Sequence, residues 1–361
     1  DIFLVIPKFR NTSFEAIRKF YGLHNSFRIM RLWAPLYFSA LTLLVYIPQV
    51  LLLINLLKLV LAIRGRRLLI YSRGRLIPAL LSIFSPHVLK DTICEIHHER
   101  YIKEKNIWSI LYFSALKKCR AIVTIANHLK NYYSKVLQRS PNIYAVHDAV
   151  DERLFHKKKD NLVIKDTLRR RVGEGKKIVM YAGSLQRLKK PEFIIDAFKM
   201  LDRKDVHLVF VGGSKRDITR LINYIKVKGI ERVSFLGFVK PDLIPYYLDA
   251  ADVLIHYTPP GRSYSPLKIF EYMLARKPIV APNSPGVNEV LRDGENALLF
   301  DPNSPKSMAQ KIAALLDDPK LSARIATKAY EEAISKYTYG ARAKNILNVI
   351  LKCNGHKACL K

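Results

Sequence analysis

Residues 265–280 read SPLKIFEYMLARKPIV, and the reading of the fold turns on them. Ser265 is a natural N-cap and Pro266 fits the first helical position, so the pattern predicts a helix running to about Arg276. A short Pro-Ile-Val-Ala strand follows at 278–281. Backbone N–H groups at such a helix start favour an anion, and the carboxylate of Glu271 lies almost two turns further in. Amides for a phosphate and a carboxylate for sugar hydroxyls suit a nucleotide-sugar. The same residues also describe an ordinary capped helix in an α/β protein, and alone they leave both readings open.

Around this stretch, strand-like runs fall at 178–182, 207–211, 233–236, 253–256, 279–281 and 297–300. Helical patterns lie between them at 191–201, 215–228, 243–250 and 266–275. Short apolar strands alternating with helices predict a parallel sheet covered on both faces. Helical patterns alone follow, at 305–316, 319–336 and 339–351. The first half repeats the rhythm with strands expected at 2–6, 68–71, 92–95, 121–125 and 142–146. The expected organisation is a domain over 1–155, a basic linker over 156–177, a second domain over 178–336, and a C-terminal helix and tail over 337–361. Two α/β domains joined by a basic hinge would hold a ligand between them.

Charge is the strongest signal in the composition. The 361 residues carry 61 Lys+Arg against 30 Asp+Glu, a formal +31, with +18 in residues 1–170 and +13 in the remainder. A field of this kind attracts nucleic acid, an anionic bilayer or phosphorylated substrates. No zinc-finger spacing, RNP-like aromatic motif or basic zipper is present, which argues against nucleic acid. The basic clusters lie beside long apolar stretches, which points to an anionic membrane surface. Hydrophobic content of 49% excludes a disordered chain. Four cysteines make no disulfide framework, so a reducing cytoplasm is expected, and Cys353, His356 and Cys359 are weak evidence for a metal.

Residues 32–63 hold a single charge, Lys58, and Arg64, Arg66 and Arg67 follow. The length would permit a transmembrane helix. Pro35 and Pro48 interrupt the run, and it lies inside a strand–helix alternation, so a buried or interfacial helix is the preferred reading. Asn55, Lys58 and Ala62 share one helical face, which leaves the rest of the helix for the core.

The segments YAGSLQRLKKPEFIIDAF, HLVFVGG, VSFLGFV, YYLDAADVLI, SPLKIFEYMLARKPIVAP and GVNEVLRDGENALLF resemble, in order and spacing, glycosyltransferase family 4 of the GT-B fold. In the first half, FYGLHNSFRI, LLIYSRG, CEIHHE, AIVTIANHLK and VHDAVDERLF follow the same family more loosely. The resemblance implies two doubly wound, Rossmann-like domains with C-terminal helices. It also implies transfer of a sugar, with retention, from a nucleotide-diphosphate donor to an acceptor hydroxyl.

Residue by residue, Gly183 ends the first strand of the second domain and lets a ligand approach the backbone. The family's basic residue after this glycine is Ser184 here, a departure, whereas Lys189 matches a diphosphate-contacting lysine, with Arg187 and Lys190 beside it. Gly237 and Phe238 fall where the family frames the nucleobase. Ser265, Leu267 and Lys268 fall in the donor-binding block, and Glu271 matches the carboxylate that accepts from ribose hydroxyls. The acidic partner expected eight positions earlier is replaced by Ser263, followed by Tyr264, so the sugar identity is unread. His97 occupies an E-x-H position near the donor sugar, with His98 the weaker neighbour. Asp148 and Ala149 stand where the family has Asn or Asp and then Gly, so Ala149 departs from the pattern.

Residues 1–9 resemble the family's second strand, so the chain is expected to lack the first strand of its N-terminal domain. No Asp-x-Asp motif lies near the matched sites, so metal independence is expected and no cofactor is assigned. Basic charge and the apolar 32–63 stretch suggest a lipid-linked or cell-surface glycan acceptor, with the enzyme cytoplasmic and peripheral on the membrane face, in polysaccharide biosynthesis. A soluble acceptor, a non-catalytic nucleotide-sugar-binding subunit, or an epimerase or phosphorylase of the same fold remain open. UDP and GDP are not distinguished.

Overall fold

The computed structural model describes residues 3–8, 28–33, 40–65, 68–99, 106–138, 142–155, 161–260 and 267–353. The chain divides into two compact units, one of residues 1–123 with 132–144, the other of 124–131 with 145–361.

In the first unit, strands β1 (Phe3–Lys8) and β2 (Arg28–Trp33) pair in parallel, Phe3 opposite Arg28 through Lys8 opposite Trp33. Helix α1 (Ala40–Ile63) follows, then β3 (Ile70–Arg73), α2 (Leu76–Phe84), β4 (Thr92–Ile96), α3 (Ile107–Lys118), β5 (Ala121–Thr124), α4 (Asn127–Leu137) and β6 (Asn142–Ala145). The end of β5 and the start of α4, Thr124–Asn131, belong to the second unit. β3 to β6 form a four-stranded sheet in chain order. Every residue of β4 and β5 is buried, as expected for strands covered on both faces. The strand β2 is an addition to what the sequence pattern predicts.

Helix α1 corrects the reading of 32–63 in two ways. Leu32 and Trp33 belong to β2, and the helix begins at Ala40. The polar residues expected to face outward instead turn inward. Asn55 Nδ2 donates to the Leu51 carbonyl (2.8 Å) and to Ser85 Oγ (3.0 Å), and Lys58 Nζ pairs with Asp91 at 2.9 Å. Val50 and Ile54 are buried with Leu81, Val88 and Leu89, while Leu52, Leu56, Leu59, Val60 and Ile63 are exposed. Among the described residues no helix is long and apolar enough to cross a membrane, in line with the reading against a span.

The second unit contains α5 (Asn161–Val172), β7 (Lys177–Ala182), α6 (Pro191–Leu201), β8 (Val206–Val211), α7 (Lys215–Lys228), β9 (Val233–Phe235), α8 (Ile244–Asp249) and β10 (Val253–Ile255). It continues with α9 (Leu267–Leu274), β11 (Ile279–Pro282), α10 (Pro285–Asn288), β12 (Leu298–Phe300), α11 (Pro305–Asp317), α12 (Pro319–Lys336) and α13 (Tyr339–Cys353). The strands pair in parallel in the order β12-β11-β10-β7-β8-β9. Alternate residues feed opposite cores: Ile178, Met180 and Val209 enter one cluster, and Val179, Tyr181 and Phe210 the other. From β7 the chain builds outward through β8 and β9, then crosses to β10 on the other side. That reversal opens a crevice at the carboxyl ends of β7 and β10, where open α/β sheets hold ligands.

A buried polar contact holds one element at this crevice, and a partly buried carboxylate caps a helix start elsewhere in the second unit. The Tyr272 hydroxyl, on α9, accepts from Ala182 N–H (2.8 Å) and donates to the Ala182 carbonyl (3.1 Å), tying α9 to the end of β7. Glu289 accepts from the N–H groups of Asn127 (2.6 Å) and His128 (2.8 Å) and lies 2.8 Å from His128 Nδ1. Burial opposes charge on Glu289, but the His128 side chain and the two N–H groups outweigh it and hold the carboxyl below its ordinary value.

Tyr272→Phe should leave both polar groups of Ala182 buried without this partner and cost about 1–3 kcal/mol, read by urea unfolding. A carboxyl with a depressed folded pKa stabilises the fold above its unfolded pKa, near 4.5, and loses that contribution as pH falls through the folded value. The stability difference between wild type and Glu289→Gln should therefore be constant above pH 4.5 and shrink below it. A difference independent of pH would refute the assignment.

Candidate functional site

The floor of the crevice is made by backbone. Gly183 N–H donates to the Val211 carbonyl (2.9 Å), and Gly212 N–H to the Gly237 carbonyl (2.7 Å), so the turns after β7, β8 and β9 meet. A β-carbon on Gly212 would lie 2.4 Å from the Gly183 carbonyl oxygen, and φ there is +110°. A β-carbon on Gly213, at φ +88°, would lie 2.6 Å from the Leu185 side chain. A residue at Gly212 would have to displace the adjacent turn, and one at Gly213 the Leu185 side chain.

Above this floor lies a pocket of about 730 Å³. Its lining includes Ala149, Val150, Asp151, Gly183, Ser184, Gly212, Gly213, Ser214, Asp217, Phe238, Val239, Ile244, Leu267, Lys268, Glu271 and Tyr339. Phe238 is 80% exposed, an aromatic face left open at the rim. Lys268 Nζ and Glu271 Oε2 pair at 2.7 Å, a partly exposed contact of small energetic weight that a ligand can replace. Ser214 caps α7, accepting from Asp217 N–H at 3.2 Å, and its hydroxyl donates back to Asp217 at 2.6 Å.

The turn after β7 is braced from α7. Arg220 donates to the Leu185 carbonyl at 2.8 Å and pairs with Glu192. Lys189 closes the 3₁₀ turn Arg187–Lys189, and Lys190 follows in the left-handed region at φ 46°. His256, buried after β10, lies 3.1 Å from Thr258 Oγ1. Burial first, and the charge of Lys189 second, push its pKa down to about 3, so the imidazole is neutral.

In the first unit, the carboxyl ends of β3 and β4 carry a second cluster. Buried Glu95 accepts from the Tyr71 hydroxyl and lies 2.6 Å from His97 Nε2, and Arg73 Nε approaches the same His97 nitrogen at 3.0 Å. One ring nitrogen cannot both donate to Glu95 and accept from Arg73. Arg73 is 70% exposed at its side chain and Glu95 is buried, so the Glu95 bond takes the proton. The Tyr133 hydroxyl donates to the His98 carbonyl at 2.8 Å.

Comparison with known proteins follows the same outline. Residues 164–332 match the family described as Glycosyl transferases group 1. These residues, just under half of the chain, are similar to a group 1 glycosyltransferase domain. Spore coat protein SA of Bacillus subtilis (strain 168) is 28% identical over 248 residues, covering 64% of this chain and 64% of that protein. Alpha-D-kanosaminyltransferase of Streptomyces kanamyceticus is 29% identical over 188 residues, covering 50% and 47%. The chain thus spans between about half and just under two thirds of these curated relatives' length. Among solved structures, Anabaena Alr3699/HepE in complex with UDP superposes with a TM-score of 0.75 at 18% identity, over 96% of this chain and 92% of that one. A glycosyltransferase from Rickettsia africae ESF-5 gives 0.72 at 15% identity, over 98% of each. The fold is GT-B.

Within the second unit, Gly183, Ser184, Phe238, Leu267, Lys268 and Glu271 share the pocket, and Gly237 closes its floor. Lys189 and Lys190 lie on the turn beyond the pocket lining. Ser263, Tyr264 and Ser265 lie outside the described residues. His97 belongs to the other unit, with Glu95 as its partner. The sequence reading passed over Gly212, Gly213, Ser214 and Asp217. The signal was present in the paired glycines and the Ser-x-x-Asp cap that follow a buried strand.

Two glycines separate the cost of conformation from the cost of crowding. Gly229→Ala, at φ +62° with nothing within 4 Å of its β-carbon, should cost about 1–2 kcal/mol. Gly212→Ala adds the clash with Gly183 and should cost clearly more in the same denaturant titration. Equal costs would contradict the close approach.

Proposed function

We propose that the protein is a retaining glycosyltransferase that binds a UDP-sugar in the pocket of its group 1 domain. The observation that carries this reading is the glycine-floored pocket at the strand switch point, with Glu271 on one wall and an open aromatic face, Phe238, at the rim. In this reading Glu271 accepts from the ribose hydroxyls, exchanging its contact with Lys268 for the ligand. Phe238 and the Gly237 turn frame the base. Arg187, Lys189 and Lys190 supply positive charge toward the diphosphate, a stabilisation that grows as the leaving group gains charge. UDP is preferred because the superposable Anabaena protein was crystallised with UDP and glucose and with UDP-glucose.

The proposed step is a same-face displacement. The acceptor hydroxyl oxygen forms a bond to the anomeric carbon as the bond from that carbon to the diphosphate oxygen breaks. The bonding pair leaves with UDP, and the hydroxyl proton passes to the departing phosphate oxygen. No metal is assigned to the step. His97, oriented by Glu95, is proposed as the functional residue of the first unit. The acceptor is proposed to be a lipid-linked or cell-surface glycan at a membrane face, on the strength of the +31 charge.

Thermal unfolding with UDP, GDP and their sugars tests the donor. UDP and a UDP-sugar should raise the midpoint of the wild type, and Glu271→Ala should lose that rise and slow transfer by about a hundredfold. Stabilisation by GDP alone would overturn the base assignment. Indifference of the folded protein to every nucleotide would overturn the function.

A further inference from the structure

We infer that the outward face of α1 is a docking surface for an anionic lipid bilayer. This extends the membrane-side reading above and rests on it for its purpose, not for its evidence. Leu52, Leu56, Leu59, Val60 and Ile63 recur at helical spacing and are 62%, 50%, 59%, 44% and 77% exposed. Five large aliphatic side chains in one row are an organised patch, unlike the scattered apolar residues of an ordinary surface. The polar side chains of the same helix do not dilute the row. Asn55 is held by Leu51 and Ser85, and Lys58 by Asp91, all partly buried on the side of the helix turned to the fold. Ile83 and Phe84, 50% and 65% exposed, immediately precede Ser85 and bring further apolar surface beside the helix.

Charge identifies the occupant. The unit carrying this face has 21 Lys+Arg against 6 Asp+Glu over residues 1–123 and 132–144. Arg64 is exposed directly after Ile63, and Arg66 and Arg67 follow in the chain. Two copies of so basic a unit repel at close approach, whereas anionic headgroups attract it. An apolar helical face flanked by arginines lies in a bilayer interface with its aliphatic row below the headgroups and its cations among them. Lys58 is paired with Asp91 on the other side of the helix, so Arg64 at its end is the cation placed to meet the headgroups.

Co-sedimentation of the full chain with sucrose-loaded vesicles tests the inference, comparing phosphatidylcholine alone with phosphatidylcholine–phosphatidylglycerol mixtures. The wild type should bind the anionic vesicles and dissociate at high salt. The double variant Leu56→Glu/Leu59→Glu should bind about tenfold more weakly or worse. Val227→Glu, at an 86% exposed position on α7, should bind as wild type does. All are solvent-facing changes, and an unchanged unfolding midpoint and UDP response confirm that each variant is folded. Failure of the wild type to bind anionic vesicles, or undiminished binding by the double variant, would overturn the inference. So would a dimer in solution that the double variant dissociates, since the occupant would then be a second copy. Transfer to a water-soluble acceptor is read in parallel: its survival in the double variant separates failure to dock from failure of the catalytic reading.

Discussion

Gly212 has no room for a β-carbon, and much of the second unit is arranged around that fact. The turn after β7 and the turn after β8 touch backbone to backbone, 2.4 Å from where the missing atom would lie. Gly212 N–H reaches on to the Gly237 carbonyl after β9. Three consecutive strands therefore end in one continuous peptide surface, which becomes the floor of the pocket. Walls are then added by elements held to that floor: α9 through Tyr272 and Ala182, and the turn after β7 through Arg220 and Leu185. A pocket floored by backbone is rigid and offers close approach without side chains in the way, which is what a charged, extended ligand requires.

Several elements were legible to the residue. Helices 191–201, 215–228 and 319–336 are bounded as the sequence predicts because their limits are set locally, by Pro191 and Pro319 at two of the starts. The six strands of the second unit were legible because a parallel sheet buried on both faces requires apolar runs. β2 was not. Its sequence, RIMRLW, carries charges three residues apart, a spacing that fits neither the period of two of a half-buried strand nor the unbroken apolar run of a buried one.

The faces of α1 were misread for a non-local reason. Period alone puts Asn55 and Lys58 outside, but Ser85 and Asp91, thirty or more residues away, supply partners that let them face inward. Burying two polar groups is tolerated once both are bonded, and the aliphatic side is then left outside. The pocket shows the same division. Glu271 and Gly183 were found through the order of motifs, whereas Gly212 and Gly213 mattered through positive φ and contacts with another turn. Asp217 entered through its cap with Ser214, and Tyr71 and Arg73 joined Glu95 and His97 through the pairing of β3 with β4.

The central claim is that the pocket over Gly183, Gly212 and Gly237 holds a nucleoside diphosphate. A crystal structure of the protein with UDP tests it most directly. The account predicts the ribose within hydrogen-bonding distance of Glu271, the base against the Gly237–Phe238 turn, and the diphosphate toward Lys189 and Lys190. UDP bound elsewhere on the chain with this pocket empty, or bound here with Glu271 still paired to Lys268 and turned from the ribose, would contradict it.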